Sequence, residues 1–428
     1  MTPRIAPPQR VLIVGAGEFG STTALALARG AYKGQAHLIT VLDRSPTPPA
    51  TDAASYDYNK IVRQEYTDPV YANLAREAML GWRDEWAEYY HETGVVMTAR
   101  PNGVASAEKT YAVNFLPGME TPGKCARKLE GKADVQAQYG NGVPLGDFAD
   151  CYAYHNECGG WAEAARATEA AVAKARALGV VFRCGTAKKL IIDEAARKVR
   201  GVVTEEHGDE YTADLVVLCC GSWTPTLVPE LKENLLPTGQ VVGFVQLNKE
   251  EHERYKNVPV TMTAMNGFYI FPPNATGLVK FAIHELGYLN PQPGYPSLPR
   301  THLTRGYEMQ SIPDHGHAKL LRNLAAVYPE LAKKPFSASR LCWYSDRHSG
   351  DFLLDYHPDY NDTLFIGAGG SGHAFKFLPV IGGLIEQGIQ GTMPPQYRDI
   401  FGYKSRPDRV DGRFEYSEFT RLDGGSKL

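Results

Sequence analysis

Val11-Leu12-Ile13-Val14-Gly15-Ala16-Gly17-Glu18-Phe19-Gly20 runs four apolar, mostly β-branched residues straight into three glycines in GxGxxG spacing. A short apolar run of this kind reads as a buried parallel strand. Gly15 permits the tight turn, Gly17 lets a pyrophosphate approach the backbone, and Gly20 lets the following helix, about residues 21–29, pack on the strand. That helix would point free N–H groups at the phosphates. A second apolar strand, residues 37–42, ends at Asp43, where an acid can accept hydrogen bonds from the ribose hydroxyls of an adenine dinucleotide.

The remaining composition narrows the class. A length of 428 residues exceeds one ordinary core, so two or more domains are expected. A net charge of −3 without a basic stripe gives no sign of nucleic acid, and the expected partner is a small molecule. No apolar run approaches the roughly 20 residues that span a bilayer, and the N-terminus lacks a signal peptide's charged start and apolar core, so a soluble, intracellular protein is expected. Seven cysteines show no CxxC pair or His-linked spacing, so neither disulfides nor a metal site are expected. Ser426-Lys427-Leu428 matches the receptor-read peroxisomal address and predicts recognition by the import receptor, which favours an enzyme that releases hydrogen peroxide.

Along the chain, clustered prolines at 46, 48 and 49 mark a loop, and residues 69–93 read as one long amphipathic helix. Residues 95–155 yield little beyond short strands and loops. Residues 163–178 form an Ala-rich helix closed by Gly179, followed by a meander and by the buried strand at 215–218. Residues 236–331 carry the alternation of an antiparallel sheet, in which Lys280 lies on an otherwise apolar strand. The strand at 364–366 runs into Gly367-Ala368-Gly369-Gly370-Ser371-Gly372-His373 and an apolar helix from Phe375, a second helix N-terminus.

In this order, the pieces resemble the FAD-dependent amine oxidases that include monomeric sarcosine oxidase, pipecolate and saccharopine oxidases and fungal fructosyl amino acid oxidases (amadoriases). The resemblance rests on GAGxxG with Asp43, on Asn59-Lys60-Ile61-Val62-Arg63, on Lys280 with His284, on Cys342, and above all on Gly370-Ser371-Gly372-His373-Ala374-Phe375-Lys376. It implies an α/β fold with a Rossmann-like FAD-binding domain of the glutathione-reductase/DAO type and a second, α+β substrate domain on an antiparallel sheet. Residues 1–95, 150–235 and 333–404 would form the discontinuous FAD-binding domain, 96–149 and 236–332 the substrate domain, and 405–428 a polar, solvent-exposed tail.

The resemblance also implies roles. Gly15, Gly17, Glu18, Phe19, Gly20, Asp43, Arg44, Asn59, Lys60, Gly370, Gly372, His373, Phe375 and Lys376 would line FAD, and Cys342 would bond covalently to its 8α-methyl carbon. Lys280 would promote oxygen reduction, with His284 as the second candidate catalytic residue. Arg63 and Lys376 would grip a substrate carboxylate, beside Lys60 and Tyr269. The implied reaction oxidises a C–N bond of a secondary-amine amino acid to an imine that is hydrolysed or cyclised, with O2 reduced to H2O2 by a protein expected to be a monomer. Lys60 matches the fructosyl oxidases, where sarcosine oxidase has Arg, while His284 matches the sarcosine type, where fructosyl oxidases carry Glu. The substrate stays open among saccharopine, pipecolate and sarcosine-like amines, a fructosyl amino acid and a secondary-metabolite precursor. An NAD-linked dehydrogenase using the same glycine motif would be separated from these by the flavin spectrum, and a flavin protein that binds and cyclises its substrate by product analysis; a silent binding protein would have lost Lys280 or the carboxylate pair, and both are present.

Overall fold

The computed structural model describes residues 4–115, 125–140, 142–148, 150–264, 266–308, 312–404, 410–415 and 418–423. Val11–Val14 is buried throughout and lies inside a six-stranded sheet, flanked in parallel by Ile39–Asp43 and Leu215–Leu218. Val181–Cys184 extends one side, Leu364–Ala368 continues the other in parallel, and Leu353–Tyr356 closes that edge antiparallel. Unbroken apolar strands are what a sheet covered on both faces requires. On one face Glu18–Arg29 packs against Ala164–Ala177 and Leu378–Gln390. A Cβ on Gly382 would lie 2.2 Å from Thr22 O, so two of these helices meet backbone to backbone. On the other face the meander Ala187–Asp193, Lys198–Thr204 and Glu210–Thr212 buries Val199 and Val202 beside Leu12, Val14 and Val216.

A ten-stranded sheet forms the second layer system. Its central strand, Leu236–Gln246, pairs antiparallel with Leu278–Ile283 and Tyr288–Leu289 along one side and with Ala338–Asp346 along the other. A small three-stranded sheet joins Lys60–Val62, Gly160–Ala162 and Tyr90–His91.

Several expectations change. The expected domain limits move, because Val95–Ala99 and Tyr152–Asn156 are neighbours in the ten-stranded sheet and Ala338–Asp346 belongs there too, not with the FAD-type sheet. These pairings join segments far apart in sequence, which local pattern does not encode. The helix from Pro69 ends at Arg83, and a 3-10 turn and the short strand Tyr90–His91 follow. Between 95 and 155 lie two helices, Val104–Phe115 and Gly131–Tyr139, where only strands and loops are expected. Cys125 and Cys158 form a disulfide, contrary to the expectation of none, because the fold brings the start of Ala126–Leu129 to the turn after Tyr152–Asn156. The tail is not simply solvated: Thr420–Arg421 adds a parallel strand beside Tyr288–Leu289, and the Arg413 side chain is only 8% exposed. Residues 426–428 lie outside the described residues. Among the described residues no helix is long and apolar enough to cross a membrane, and no group of three or more His, Cys, Asp or Glu could hold a metal ion.

Candidate functional site

The glycine turn has no room for side chains. Gly15 adopts φ +96°, and a Cβ there would lie 2.4 Å from Cys219 O, while one on Gly20 would lie 1.9 Å from Gly15 O. Gly17 starts the helix without a side-chain cap, so the first turn presents its positive end to whatever occupies the cradle. Asp43 is oriented by its own neighbours: Ala16 N donates to Oδ2 at 2.7 Å and Ser45 N to Oδ1 at 2.8 Å. Each oxygen keeps acceptor capacity for ribose hydroxyls. Arg44 lies 4.0 Å over the Trp223 ring and pairs with Asp52 at 2.5 Å. Phe19 turns its ring onto Phe352 in the core, and Phe375 packs on Trp82, so only the backbones of these two predicted cofactor residues are placed at the turns.

The other predicted residues converge between the two sheets. Lys280, 1% exposed, donates to Asp57 Oδ2 at 2.6 Å and to Asn59 O at 2.7 Å. The same oxygen holds Lys60 at 2.9 Å, and Arg340 approaches Oδ1 at 3.4 Å. Burial works against the charge on Asp57, but Lys280, Lys60 and Arg340 outweigh it and keep the carboxyl well below its usual range. Three cations on one carboxylate are not equally served. Burial pushes the Lys280 ammonium down to about 7 against the pull of Asp57. For Lys60 the burial penalty is overcome by Asp57 and the net direction is up. Lys60 Nζ lies 3.9 Å from the buried Cys342 Sγ. Cys342, Tyr344, Ala282, Val242 and Phe244 form a small core cluster against which Tyr269 packs.

A second cationic group stands alongside. Lys376 Nζ gives its hydrogen bonds to two neutral oxygens, Tyr66 Oη at 2.8 Å and His373 O at 2.7 Å. Arg63 Nη1 donates to Glu65 O at 2.5 Å, with the Glu65 carboxylate 3.9 Å away. Both cations lie over the Tyr66 ring, at 5.7 Å and 5.1 Å from its centroid. Burial, then the Arg63 charge, holds the Lys376 ammonium well below its usual value. Glu65 favours the charge on Arg63 against burial, whereas the Lys376 ammonium is disfavoured beside it, and an anion placed there would relieve Lys376. His373 Nε2 faces Gly350 O at 2.8 Å, an acceptor only, so that nitrogen carries the proton and Nδ1 accepts from Tyr66 at 2.9 Å. His284 lies 3.4 Å from Tyr344 Oη, and burial followed by Arg413 pushes it down to about 3, so its ring is neutral. Gly372, at φ +72°, leaves space that the Tyr344 ring fills, 2.2 Å from where a Cβ would stand, and Gly370 makes the turn before it.

Asp57, Tyr66, Arg340, Tyr344 and Arg413 are site residues the sequence reading missed. Arg340 and Tyr344 flank Cys342 at two-residue spacing on one strand, and period two puts all three on one face. Asp57 lies two residues before the Asn59–Arg63 motif and carries no motif of its own. Nothing local marks Arg413.

The profile of FAD dependent oxidoreductases matches residues 10–387. The chain belongs to this family. L-saccharopine oxidase of Schizosaccharomyces pombe is 31% identical across 92% of this chain and 93% of its own length. An amino acid oxidase of Aspergillus flavus is 29% identical across 88% and 91%. Among solved structures, fructosyl peptide oxidase of E. terrenum superposes with a TM-score of 0.88 at 25% identity over 100% of this chain and 99% of that one. As an FAD dependent oxidoreductase the chain has a fitting donor set: the glycine cradle, the uncapped helix start, Asp43, and buried side-chain oxygens of Glu18 and Asn59 without hydrogen-bond partners.

Proposed function

We propose that this FAD-dependent oxidoreductase oxidises the C–N bond of an amino acid bearing a secondary amine to an imine, which is then hydrolysed or cyclised, while O2 becomes H2O2. The observation that carries this reading is the half-buried Arg63 and the buried Lys376 over one Tyr66 ring, an arrangement suited to an anion, together with the Lys280, Lys60 and Cys342 cluster. Bound FAD supplies the two-electron acceptor and its reoxidation by oxygen. Arg63 and Lys376 hold the substrate carboxylate, which orients the amine and its C–H bond. Neutral His284 can accept a hydrogen bond from the amine, and Tyr269 and Tyr344 enclose the site and exclude water. Asp57 fixes Lys280 in place, and its ammonium stabilises negative charge developing on oxygen.

Several finer features belong to the same proposal. Cys342 carries the flavin through an 8α-S-cysteinyl bond, and Cys342→Ala should release flavin into acid where the parent protein retains it. The protein acts as a monomer and enters peroxisomes through Ser426-Lys427-Leu428; a fluorescent N-terminal fusion should lose punctate localisation when these three residues are removed, and unchanged puncta would contradict the address. A deglycating reading draws support from the fructosyl peptide oxidase likeness, but His284 stands where those enzymes generally carry Glu, which favours the saccharopine and sarcosine side.

Arg63→Ala tests the carboxylate grip. A lost charge-assisted hydrogen bond of ~1.5–3 kcal/mol raises KM roughly 10- to 100-fold. Amines lacking the carboxylate should be equally poor for both proteins; a parent enzyme that prefers them would overturn the assignment.

A further inference from the structure

Glu18 is the one charged side chain in the glycine turn. It takes the first position of the helix Glu18–Arg29, is 7% exposed, and leaves Oε1 without a hydrogen-bond partner. Its backbone is fixed by Ser55, whose Oγ accepts from Glu18 N at 2.9 Å. An acidic side chain here is a physical anomaly. The family's dinucleotide brings phosphates to this helix start, and an ionised carboxylate beside them would set like charge against like charge.

Two cations face Glu18: Lys376 from the turn after Leu364–Ala368, and Lys60 from the strand Lys60–Val62. Both favour the ionised form, yet burial outweighs them and the carboxyl is pushed up to about 8. Neither cation donates to it, because Lys376 is spent on Tyr66 and His373, and Lys60 on Asp57 and Cys342.

We propose that Glu18 is a proton-holding residue on which the non-covalent affinity for FAD depends: the neutral acid tolerates the dinucleotide phosphates at the helix start, and the ionised form repels them. FAD binding then takes up one proton wherever the empty protein has lost it. The dissociation constant is flat through neutral pH and rises by up to about tenfold per pH unit once Glu18 ionises in the empty protein. The inference rests on the FAD reading of the same site.

The test uses the full chain carrying Cys342→Ala, so that flavin exchanges freely, with and without Glu18→Gln. FAD affinity is read from the fluorescence of released flavin between pH 6.5 and 9.5, with far-ultraviolet circular dichroism confirming the fold at each pH. Glu18→Gln keeps the shape and the neutral state, so it should bind FAD at pH 7 as tightly as its parent and remove the alkaline weakening. Glu18→Met serves the same comparison if the Gln variant does not fold. The same alkaline slope in parent and variant would overturn the proposal, as would a large loss of affinity at pH 7 in both substitutions. Failure of the protein to take up FAD at any pH would instead remove the FAD reading and this inference together.

Discussion

Asp57 shows how much of this site depends on one side chain. Its carboxylate gathers Lys280, Lys60 and Arg340, three cations that would otherwise repel one another in a buried place. Lys280 is therefore positioned rather than free to wander, and burial keeps its ammonium easier to discharge than an ordinary lysine's. Lys280→Met removes the charge and keeps the volume. Flavin reoxidation by oxygen should slow by orders of magnitude in stopped-flow measurements while flavin reduction by substrate persists. An unchanged oxygen rate would take Lys280 out of the role. At this scale Lys280 stood out as a lysine in an apolar strand, whereas Cys342 and His373 were marked only by the family resemblance. Asp57, Tyr66 and Arg413 break no pattern, since an acid in a polar loop, a tyrosine before a helix and an arginine in a tail are all ordinary surface choices. Only the folded chain shows Asp57 buried among three cations, Tyr66 beside Lys376 and His373, and Arg413 on Asp346.

Elements follow the same rule. The strand–glycine–helix unit at 11–29 was legible because its causes are local: apolar β-branched residues, then glycines where a Cβ has nowhere to go. Gly20→Ala would push a Cβ to within 1.9 Å of Gly15 O and force the helix Glu18–Arg29 off its strand. The variant should purify with less flavin and unfold at lower temperature by calorimetry; full flavin occupancy at the parent's melting temperature would contradict the packing argument. By contrast, Val104–Phe115 mixes Ala with Thr, Tyr and Asn, and only two of its residues are buried, so it leaves no clear apolar stripe to read. The strand Ala338–Asp346 pairs with Leu236–Gln246 over nine residues, a register that local pattern does not encode. Strand partners a hundred residues apart are chosen by tertiary packing.

Across the whole molecule, a late segment and one disulfide hold separate parts of the chain against the ten-stranded sheet. Arg413 pairs with Asp346 at 2.9 Å and Asp411 at 2.8 Å, so the C-terminal segment docks beside the strand that carries Cys342. The disulfide Cys125–Cys158 spans 33 residues, and by the chain-entropy model such a loop contributes about 3–4 kcal/mol. Cys125→Ser should lower the denaturation midpoint by a matching amount, and dithiothreitol should lower the parent's but not the variant's; identical midpoints in all cases would show the thiols unlinked. The fold class was legible from one motif in its context, whereas the Arg413–Asp346 pair and the Cys125–Cys158 link were not, because each joins residues separated in sequence. The most direct test of the account is peroxide release by the purified protein against sarcosine, L-pipecolate, L-saccharopine, a fructosyl amino acid and N-methyl aromatic amino acids. The account predicts a yellow protein whose flavin is bleached by a secondary-amine amino acid, with one H2O2 formed per substrate oxidised. A flavin that none of these amines reduces, with no peroxide formed, would contradict it.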